Sequence, residues 1–386
     1  MNSKQWMGLL LLLTLPSLAL AQDARSFAIG GAAAGGSNGP FSIYWNPAGL
    51  SPSQGNSNAW SLSVGYSGFN TSNSDSPILR FNSQAALNSN QDPVSQFLQD
   101  QGLVAVQYLS YGGGVFSEHD FNSVESQGAY QFFQNQQNGT VATHPGKTYA
   151  LNDQTTVQDI QTLIISYSTP LPLNFFKFIS AGFNLKYSYG NQFSQTDLTG
   201  SYTQGAASSY QYNKTTSSSG LGLSTDMGFL AQISDALQAG LMLQNLTSSF
   251  NWTAQQQAYT LNTVTGQESP DGLSQAVTVS APFPYTVKLG LLAEPSGSDL
   301  VLNGEVDFAN HQTHWKAGLE HYYPANHLVV RLGTFNDPYS NNQLWTIGAG
   351  YYTTHFSLNA ALITRSLPNI EDSVALGGAL DADLRF

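Results

Sequence analysis

The sequence predicts an all-β protein, a transmembrane antiparallel β-barrel of about 14 strands with an N-terminal hatch, or plug, inside its lumen. Apolar residues alternate with small or polar residues at a period of two, as in residues 178–190 and 299–309, which puts the apolar side chains on one sheet face. The other face carries mostly Gly, Ser, Asn and Gln with isolated charges, which is typical of a barrel lumen. The chain stops on Phe386 at the end of an alternating segment.

Composition separates this prediction from a two-sheet sandwich, which shows the same alternation. The outer face of a sandwich meets water and is normally charged, but only 9% of this chain is charged, against roughly 25% in a typical soluble domain. The absence of cysteine excludes a disulfide framework and a thiolate metal site. A formal net charge of -12 with only 12 Lys and Arg argues against nucleic acid as a partner.

Residues 1–21 are predicted to be an export signal. Lys4 is followed by the apolar run from Gly8 to Leu15 and then by small residues that end at Ala21. The apolar run is too short for a comfortable membrane span, and no later stretch reaches about 18 uninterrupted apolar residues. A membrane protein built from helices is therefore not expected.

Fourteen strands follow from counting backwards from Phe386, an even number as is typical of bacterial barrels. The predicted ranges are 59–69, 76–84, 103–116, 160–169, 178–190, 219–233, 237–249, 284–294, 299–309, 313–323, 327–335, 343–352, 355–365 and 373–386. Alternate connections then fall outside the cell and are long, at 117–159, 191–218 and 250–283. The other connections are tight turns, except that 85–102 is long and falls on the periplasmic side.

Isolated charges on the polar faces of these strands are predicted to point into the lumen. They are Lys186, Asp226, Lys288, Glu305, Asp307, Lys316, Glu320 and Arg331. Carboxylate pairs such as Glu305 with Asp307 could serve acid–base chemistry, but barrel lumens routinely pair such groups with Lys and Arg. His311 and His314 specify no complete ligand set. No Ser–His–acid set is singled out, so we expect no enzyme, no metal site and no cofactor.

Residues 22–57 are predicted to be the hatch and residues 58–386 the barrel. The hatch region lacks sustained alternation and is rich in Gly and Ala. A barrel of about 14 strands has a lumen too wide for its own side chains to fill, so it conducts water unless something blocks it. Small residues would let a compact segment pack there, and a turn would hold it in place. The predicted turn is Asn46, Pro47, Ala48 and Gly49.

Aromatic residues in the predicted outer loops form a candidate ligand site. They are Tyr130, Phe132, Phe133, Phe250, Trp252 and Tyr259. They are either girdle residues at the membrane interface or an apolar cleft where a hydrophobic ligand first binds. The terminal Phe386 resembles the signal by which bacterial outer-membrane barrels are inserted, which predicts the barrel assembly machinery as a partner.

The N-terminal run "ARSFAIGGAAAGG" followed by "YWNPAGL" resembles the signature of the FadL-like outer-membrane proteins, a superfamily of long-chain fatty acid and aromatic hydrocarbon transporters and PorV-type secretion components. The resemblance extends to "GLGLSTDMGFLAQISDALQAGLMLQNL", "PYTVKLGLL" and "WKAGLEHYY…LVVRLGTF…LWTIGAGYY". It implies a hatch that plugs a barrel of fourteen strands, with Asn46, Pro47 and Ala48 at the family's turn. Residues 37–40 are Ser-Asn-Gly-Pro here, where many relatives carry acidic residues.

This resemblance implies an outer-membrane channel for passive uptake of hydrophobic small molecules, either long-chain fatty acids or hydrocarbons. The alternative is a PorV-like component that binds other proteins of a secretion or surface-attachment system and transports nothing. An open porin for polar solutes is disfavoured by the hatch. Outer-membrane lipid and lipopolysaccharide are expected around the barrel in each case.

Overall fold

The computed structural model describes residues 23–51, 60–72, 94–125, 128, 148–173, 175–203, 209–262, 268–309, 312–323, 327–336, 343–365 and 376–386. The predicted export signal, 1–21, lies outside the described residues, as does the strand predicted at 76–84. No helix in the described part of the chain is long and apolar enough to cross a membrane.

In the described part of the chain, sixteen strands form one antiparallel sheet that closes on itself, because the first strand pairs with the last. Their bounds are Trp60–Ser72 (β1), Val94–Tyr108 (β2), Tyr111–Glu125 (β3), Thr148–Pro170 (β4), Phe178–Thr203 (β5), Ser209–Ser217 (β6), Gly220–Gln232 (β7), Leu237–Asn262 (β8), Glu268–Ser280 (β9), Thr286–Ala293 (β10), Leu300–Ala309 (β11), Gln312–Tyr322 (β12), Leu328–Asn336 (β13), Gln343–Tyr352 (β14), Phe356–Arg365 (β15) and Leu376–Arg385 (β16). Fourteen strands close the barrel wall, as the sequence predicted.

The strands β6 and β9 lie beyond the wall, at the end of the barrel opposite to Phe386. β5 and β8 are each 26 residues long, whereas about 9–11 residues suffice to span a membrane. Their lower parts pair with wall strands, and their upper parts pair with β6 and β9. The predicted outer loops 191–218 and 250–283 are therefore largely strand. Apolar alternation stops above the membrane although the ladder of hydrogen bonds continues, which is why the sequence pattern missed these extensions.

The predicted strand 103–116 is wrong, because a turn divides it. Tyr108 pairs with Tyr111, so Leu109 and Ser110 form a two-residue turn, with Leu109 at a φ of 53°. Such turns normally carry Asn-Gly or Asp-Gly, and this one carries neither signal. Residues 94–102, which the sequence analysis placed in a periplasmic connection, belong to β2.

The outward face of the wall is apolar. On β5, Phe183, Leu185 and Tyr187 are exposed, while Asn184 between them is buried toward the lumen. Exposed aromatic residues collect at the rim that contains Phe386: Trp60, Tyr108, Tyr111, Tyr167, Tyr323 and Tyr351. An apolar band bordered by aromatic residues is typical of an outer-membrane barrel, and tight turns mark the periplasmic end. We call the rim with Phe386 the lower rim.

The hatch, described over residues 23–51, lies inside the barrel. It contains two short helices, Ala24–Ala28 (α1) and Ser42–Trp45 (α2), and a 3₁₀ turn at Pro47–Leu50. Asp23 accepts hydrogen bonds from the amide of Ser26 at 2.5 Å and from the indole of Trp45 at 2.6 Å, so one carboxylate caps α1 and joins it to α2. Burial raises the pKa of the Asp23 carboxyl, and the hydrogen bonds from Ser26 oppose this rise.

Candidate functional site

The hatch contacts the wall backbone to backbone at three places, and each place is a pair of glycines directly opposite one another on neighbouring strands. The three glycine pairs are Gly182 with Gly228, Gly240 with Gly290, and Gly318 with Gly333. A Cβ atom on any of them would overlap hatch atoms. The first pair holds the hatch near Pro47, the second near Ala34 and the third near Ile29.

Polar wall side chains bind the hatch backbone beside these pairs. The hatch carbonyl groups accept from wall side chains in this way: Ala28 from Thr346 at 2.9 Å, Gly35 from Gln238 at 2.8 Å, Ile43 from Asn184 at 2.7 Å, Ala48 from Ser180 at 2.9 Å, and Leu50 from Gln107 at 2.8 Å. Four of the five carbonyls accept no backbone hydrogen bond within the described hatch, and the fifth, that of Ala48, also accepts from the Ser51 amide. The hatch is thereby fixed along its whole described length.

Charged groups fix the hatch at three further points, one of which is Asp381, whose carboxylate accepts from the Ala24 amide at 2.6 Å. Arg25 donates to both carboxylate oxygens of Glu320, at 2.9 and 3.1 Å, and Arg331 donates to the same carboxylate at 2.9 Å. Glu305 accepts from the Ala34 amide at 2.7 Å. These contacts show how the hatch is held without the acidic residues that many FadL-like proteins carry before the turn.

The predicted hatch turn lies deep in the interface. Asn46, Pro47, Ala48 and Gly49 are all buried. The amide of the Asn46 side chain donates to the carbonyls of Ala34 and Phe229, each at 3.0 Å, and its oxygen accepts from Ala48 at 3.1 Å. Asn46 therefore joins two parts of the hatch to each other and to β7.

Two of the predicted lumen charges lie beside a local break in the wall ladder. The register of β7 with β8 shifts at Asp226, opposite Asn245, which has a φ of 56°. Asp226 accepts from the Asn245 amide at 2.8 Å and pairs with Lys186 at 2.7 Å. Asn184 links this cluster to the hatch, because it donates to Asp226 at 2.8 Å as well as to Ile43.

A cavity of about 250 Å³ lies above the hatch. Its apolar lining comes from both the hatch and the wall: Phe27, Tyr44, Trp45, Phe69, Phe335 and Ile363. Its polar lining includes Lys288, Asp307, His314 and Lys316. The wall residues belong to the upper parts of their strands, so the cavity occupies the lumen on the outer side of the hatch. A space of this kind suits an apolar molecule with a polar group at one end.

The four charges in and beside the cavity are unequally paired. Lys316 pairs with Glu305 at 2.7 Å and with Asp307 at 2.6 Å. Lys288 lies directly opposite Asp307 in the strand register, and its Nζ is 5.4 Å from the centre of the Trp45 ring. Within the described residues, Lys288 makes no hydrogen bond or ion pair.

Three of the six predicted loop aromatics lie on a strand and not in a loop. Phe250 and Trp252 are not loop residues; they lie on β8 and are fully buried, in contact with Phe193 and Phe283. Tyr259 stands on the upper part of β8 and stacks with Tyr212 at 5.5 Å. Tyr130, Phe132 and Phe133 lie outside the described residues. The strand extension of β8, which the sequence pattern missed, accounts for the misplacement.

The sequence analysis also missed the glycine pairs and the polar residues that bind the hatch backbone. The sequence places Gly, Ser, Asn and Gln on the lumen face in general and predicts no hatch contact for any of them. Six of the predicted lumen charges form the hatch contacts and the cavity wall: Lys288, Glu305, Asp307, Lys316, Glu320 and Arg331.

A closed wall with an internal hatch defines a plugged outer-membrane β-barrel. No family model matches the chain, and no curated protein matches it in sequence. Solved structures match its fold. The toluene transporter TodX of Pseudomonas putida has a TM-score of 0.57 at 13% identity, with 95% of this chain and 98% of that chain covered. The monoaromatic hydrocarbon channel CymD has a TM-score of 0.59 at 11% identity, covering 95% and 98%.

A FadL homologue of Pseudomonas aeruginosa has a TM-score of 0.55 at 12% identity, with 95% of this chain and 99% of that chain covered. The chain therefore has the FadL and TodX fold, and the structural resemblance expected from its N-terminal signature is confirmed.

Proposed function

We propose that this protein is a channel for passive uptake of hydrophobic small molecules across the outer membrane. The observation that carries the proposal is the largely apolar cavity above a hatch that fills the lumen below it. In another protein, an apolar cavity of about 150 Å³ binds benzene, so about 250 Å³ is enough for a monoaromatic ring or a segment of an alkyl chain. Structural neighbours described as hydrocarbon channels and as a FadL homologue support the proposal at the level of fold.

Transport in this proposal requires the hatch to move. The glycine pairs and the hatch hydrogen bonds separate the cavity from the lower rim, so a bound solute passes only when part of the hatch leaves the wall. The wall can remain intact during this movement, because its backbone hydrogen bonds run between strands and do not involve the hatch. No energy-coupling segment is required for a solute that moves down its gradient.

Uptake into proteoliposomes tests the proposal. The purified chain should accelerate entry of toluene and oleate over protein-free liposomes, while a polar solute of similar size, such as glycerol, should enter no faster. Deletion of residues 28–50 should raise single-channel conductance and admit the polar solute. Equal rates for all three compounds with the intact chain would contradict selective hydrophobic transport.

The alternative is a PorV-like role in which the protein binds components of a secretion system. The observation that favours it is β9, which pairs only with β8 in the described part of the chain and carries Leu273 at 90% exposure. An exposed strand edge can accept a strand from another protein. Removal of residues 268–280 separates the functions, because protein binding should be lost under the alternative while uptake should persist under the leading proposal.

The partners at the membrane remain proposals as well. Lipid and lipopolysaccharide would contact the outward apolar face, and the barrel assembly machinery would read Phe386. Phe386 is exposed at the lower rim, where its amide donates to Trp60 at 2.9 Å. Deletion of Phe386 should reduce the heat-modifiable barrel in the outer membrane while export of the chain continues, and a normal barrel level would contradict this role.

A further inference from the structure

Lys288 differs from the other predicted lumen cations in its lack of a polar partner. Lys186, Lys316 and Arg331 each bind at least one carboxylate. Lys288 is 7% exposed, lines the cavity and contacts the face of Trp45, but it makes no hydrogen bond or ion pair among the described residues. A buried polar group without a partner is costly, and here the group lies at the wall of an apolar cavity.

The missing partner of Lys288 is a hydrogen-bond acceptor, since an ammonium group has three donors and no acceptor. Such an acceptor would belong to a molecule in the cavity. Phe27, Trp45 and Phe335 line the remaining space, which suits an apolar ring beneath the acceptor.

The charges around Lys288 favour an uncharged acceptor. Two cations, Lys288 and Lys316, are balanced by two carboxylates, Glu305 and Asp307, so the group is neutral as it stands. The Oδ1 atom of Asp307 is buried and accepts no hydrogen bond within the described residues. An entering carboxylate would add a third negative charge beside two others where water does not screen them, whereas a hydroxyl or carbonyl oxygen would leave the balance unchanged.

We propose that Lys288 selects for aromatic compounds that carry an uncharged oxygen, such as phenols and aryl aldehydes, over the corresponding hydrocarbons and carboxylates. This inference rests on the proposed transport function and names the substrate class of its cavity. The ring occupies the apolar part of the cavity, and Lys288 donates to the oxygen. Trp45 holds the amine in place through its ring face.

Binding of a matched ligand series to the full-length mature chain in nanodiscs tests the inference. The series is toluene, p-cresol, 4-methylbenzaldehyde and p-toluate, which share a methyl-substituted ring and differ in the group para to the methyl. Each compound competes with tritiated p-cresol, and empty nanodiscs correct for partition into lipid. We expect p-cresol or 4-methylbenzaldehyde to bind about tenfold tighter than toluene, as one hydrogen bond to a charged group allows. The order of these two distinguishes a hydroxyl from a carbonyl substrate.

The variant Lys288→Met should reduce binding of the favoured compound to the level of toluene and leave toluene unchanged. Lys177→Met is the matched control, because Lys177 pairs with Asp235 at the lower rim, far along the chain from the cavity residues. The ligand order in the wild-type chain decides the question even if Lys288→Met does not fold.

Tightest binding by p-toluate would overturn the inference in favour of an anionic substrate, and equal binding of toluene, p-cresol and 4-methylbenzaldehyde would overturn any role for an uncharged oxygen. Both results would leave hydrophobic transport standing. If none of the four compounds binds and none enters proteoliposomes faster than in protein-free controls, the inference and the proposed function both fail.

Discussion

The lower lumen and the cavity above it are lined by different kinds of residue. In the lower lumen, glycine pairs bring two backbones into contact, and polar wall side chains donate to five carbonyls of the hatch. In the cavity, large aromatic side chains leave space between hatch and wall, and Lys288 makes no hydrogen bond or ion pair within the described residues. The first region is complete without a ligand, whereas the second is not.

The lower lumen is therefore suited to hold the hatch in place, and the cavity is suited to bind a ligand. An interface with many buried hydrogen bonds resists displacement because removal of any one partner leaves a buried polar group unpaired. In the cavity, by contrast, an added molecule can accept a hydrogen bond from the Lys288 amine. The two regions meet at the hatch, since Trp45 lines the cavity and also donates to Asp23 beside α1. Changes in the lower lumen should therefore affect hatch retention, and changes in the cavity should affect ligand choice.

The largest effect is expected from Gly182→Val. The new Cβ would overlap the backbone of Pro47 and Ala48, and a backbone cannot yield as a flexible side chain can. The hatch should leave the wall while the barrel still assembles, so single-channel conductance should approach that of the 28–50 deletion.

Gly304→Val is the matched control, because a Cβ on Gly304 meets no atom within 4 Å. Its conductance should equal that of the wild type. Wild-type conductance for Gly182→Val, with normal barrel yield, would show that the glycine pairs do not position the hatch.

A smaller effect is expected from Glu320→Ala. The change leaves Arg25 and Arg331 buried without their shared carboxylate, and loss of one partner of a buried ion pair costs about 3–5 kcal/mol. Urea titration of the folded barrel in lipid vesicles should show a reduced free energy of unfolding. The double variant Arg25→Gln, Glu320→Gln should recover part of the loss, and a double variant no better than Glu320→Ala would argue against the pairing as the cause.

An effect smaller than that of Glu320→Ala is expected from the double change Asn46→Ala, Pro47→Ala. It removes the three hydrogen bonds of Asn46, worth about 1 kcal/mol each, and the fixed backbone angle of Pro47. If the turn gates the solute, as the proposed transport requires, uptake of toluene per surface-exposed barrel should change. A reduced barrel yield with wild-type uptake per barrel would mean that the turn only packs and does not gate.

The sequence predicted the architecture well because barrel walls obey a strict period of two. The alternation along β5 and its inward Asn184 followed directly from that period. The strand boundaries near the N-terminus did not follow from this period. The turn at Leu109 and Ser110 carries neither Asn-Gly nor Asp-Gly, and apolar residues continue through it. Extensions above the membrane were missed for the related reason that they lack an apolar face.

The site was less predictable, because it depends on which residues of neighbouring strands lie opposite each other. A shift of one residue in register would move Gly228 away from Gly182 and turn it outward. The sequence singled out the charges Glu305, Glu320 and Arg331 but could not assign their partners in the hatch. Inward glycines at similar depth on adjacent predicted strands are the signal that could have located the interface.

The smallest expected effect is a pH dependence of hatch retention that comes from Asp23. Burial raises the pKa of this carboxyl in the docked hatch above its ordinary value of 3.8, so the docked state holds the proton more tightly than a released hatch does. Retention is therefore strongest below the ordinary value and weakens as pH rises through the raised pKa. Arg25 on the same helix lowers this pKa. Asp381 of β16, which accepts from the Ala24 amide at 2.6 Å, lies near the same carboxyl, and a negative charge on Asp381 opposes ionisation of Asp23.

Single-channel recordings between pH 4 and 8 should show more frequent high-conductance openings as pH rises. Asp23→Asn should flatten this profile, because the amide does not titrate. Its single oxygen can still accept from the Ser26 amide and cap α1, whereas the Trp45 indole loses the second carboxylate oxygen as its acceptor. Asp271→Asn is a control on the exposed β9, well outside the hatch. Openings that become rarer with rising pH, or an Asp23→Asn profile as steep as the wild type, would assign the pH dependence to a group other than Asp23.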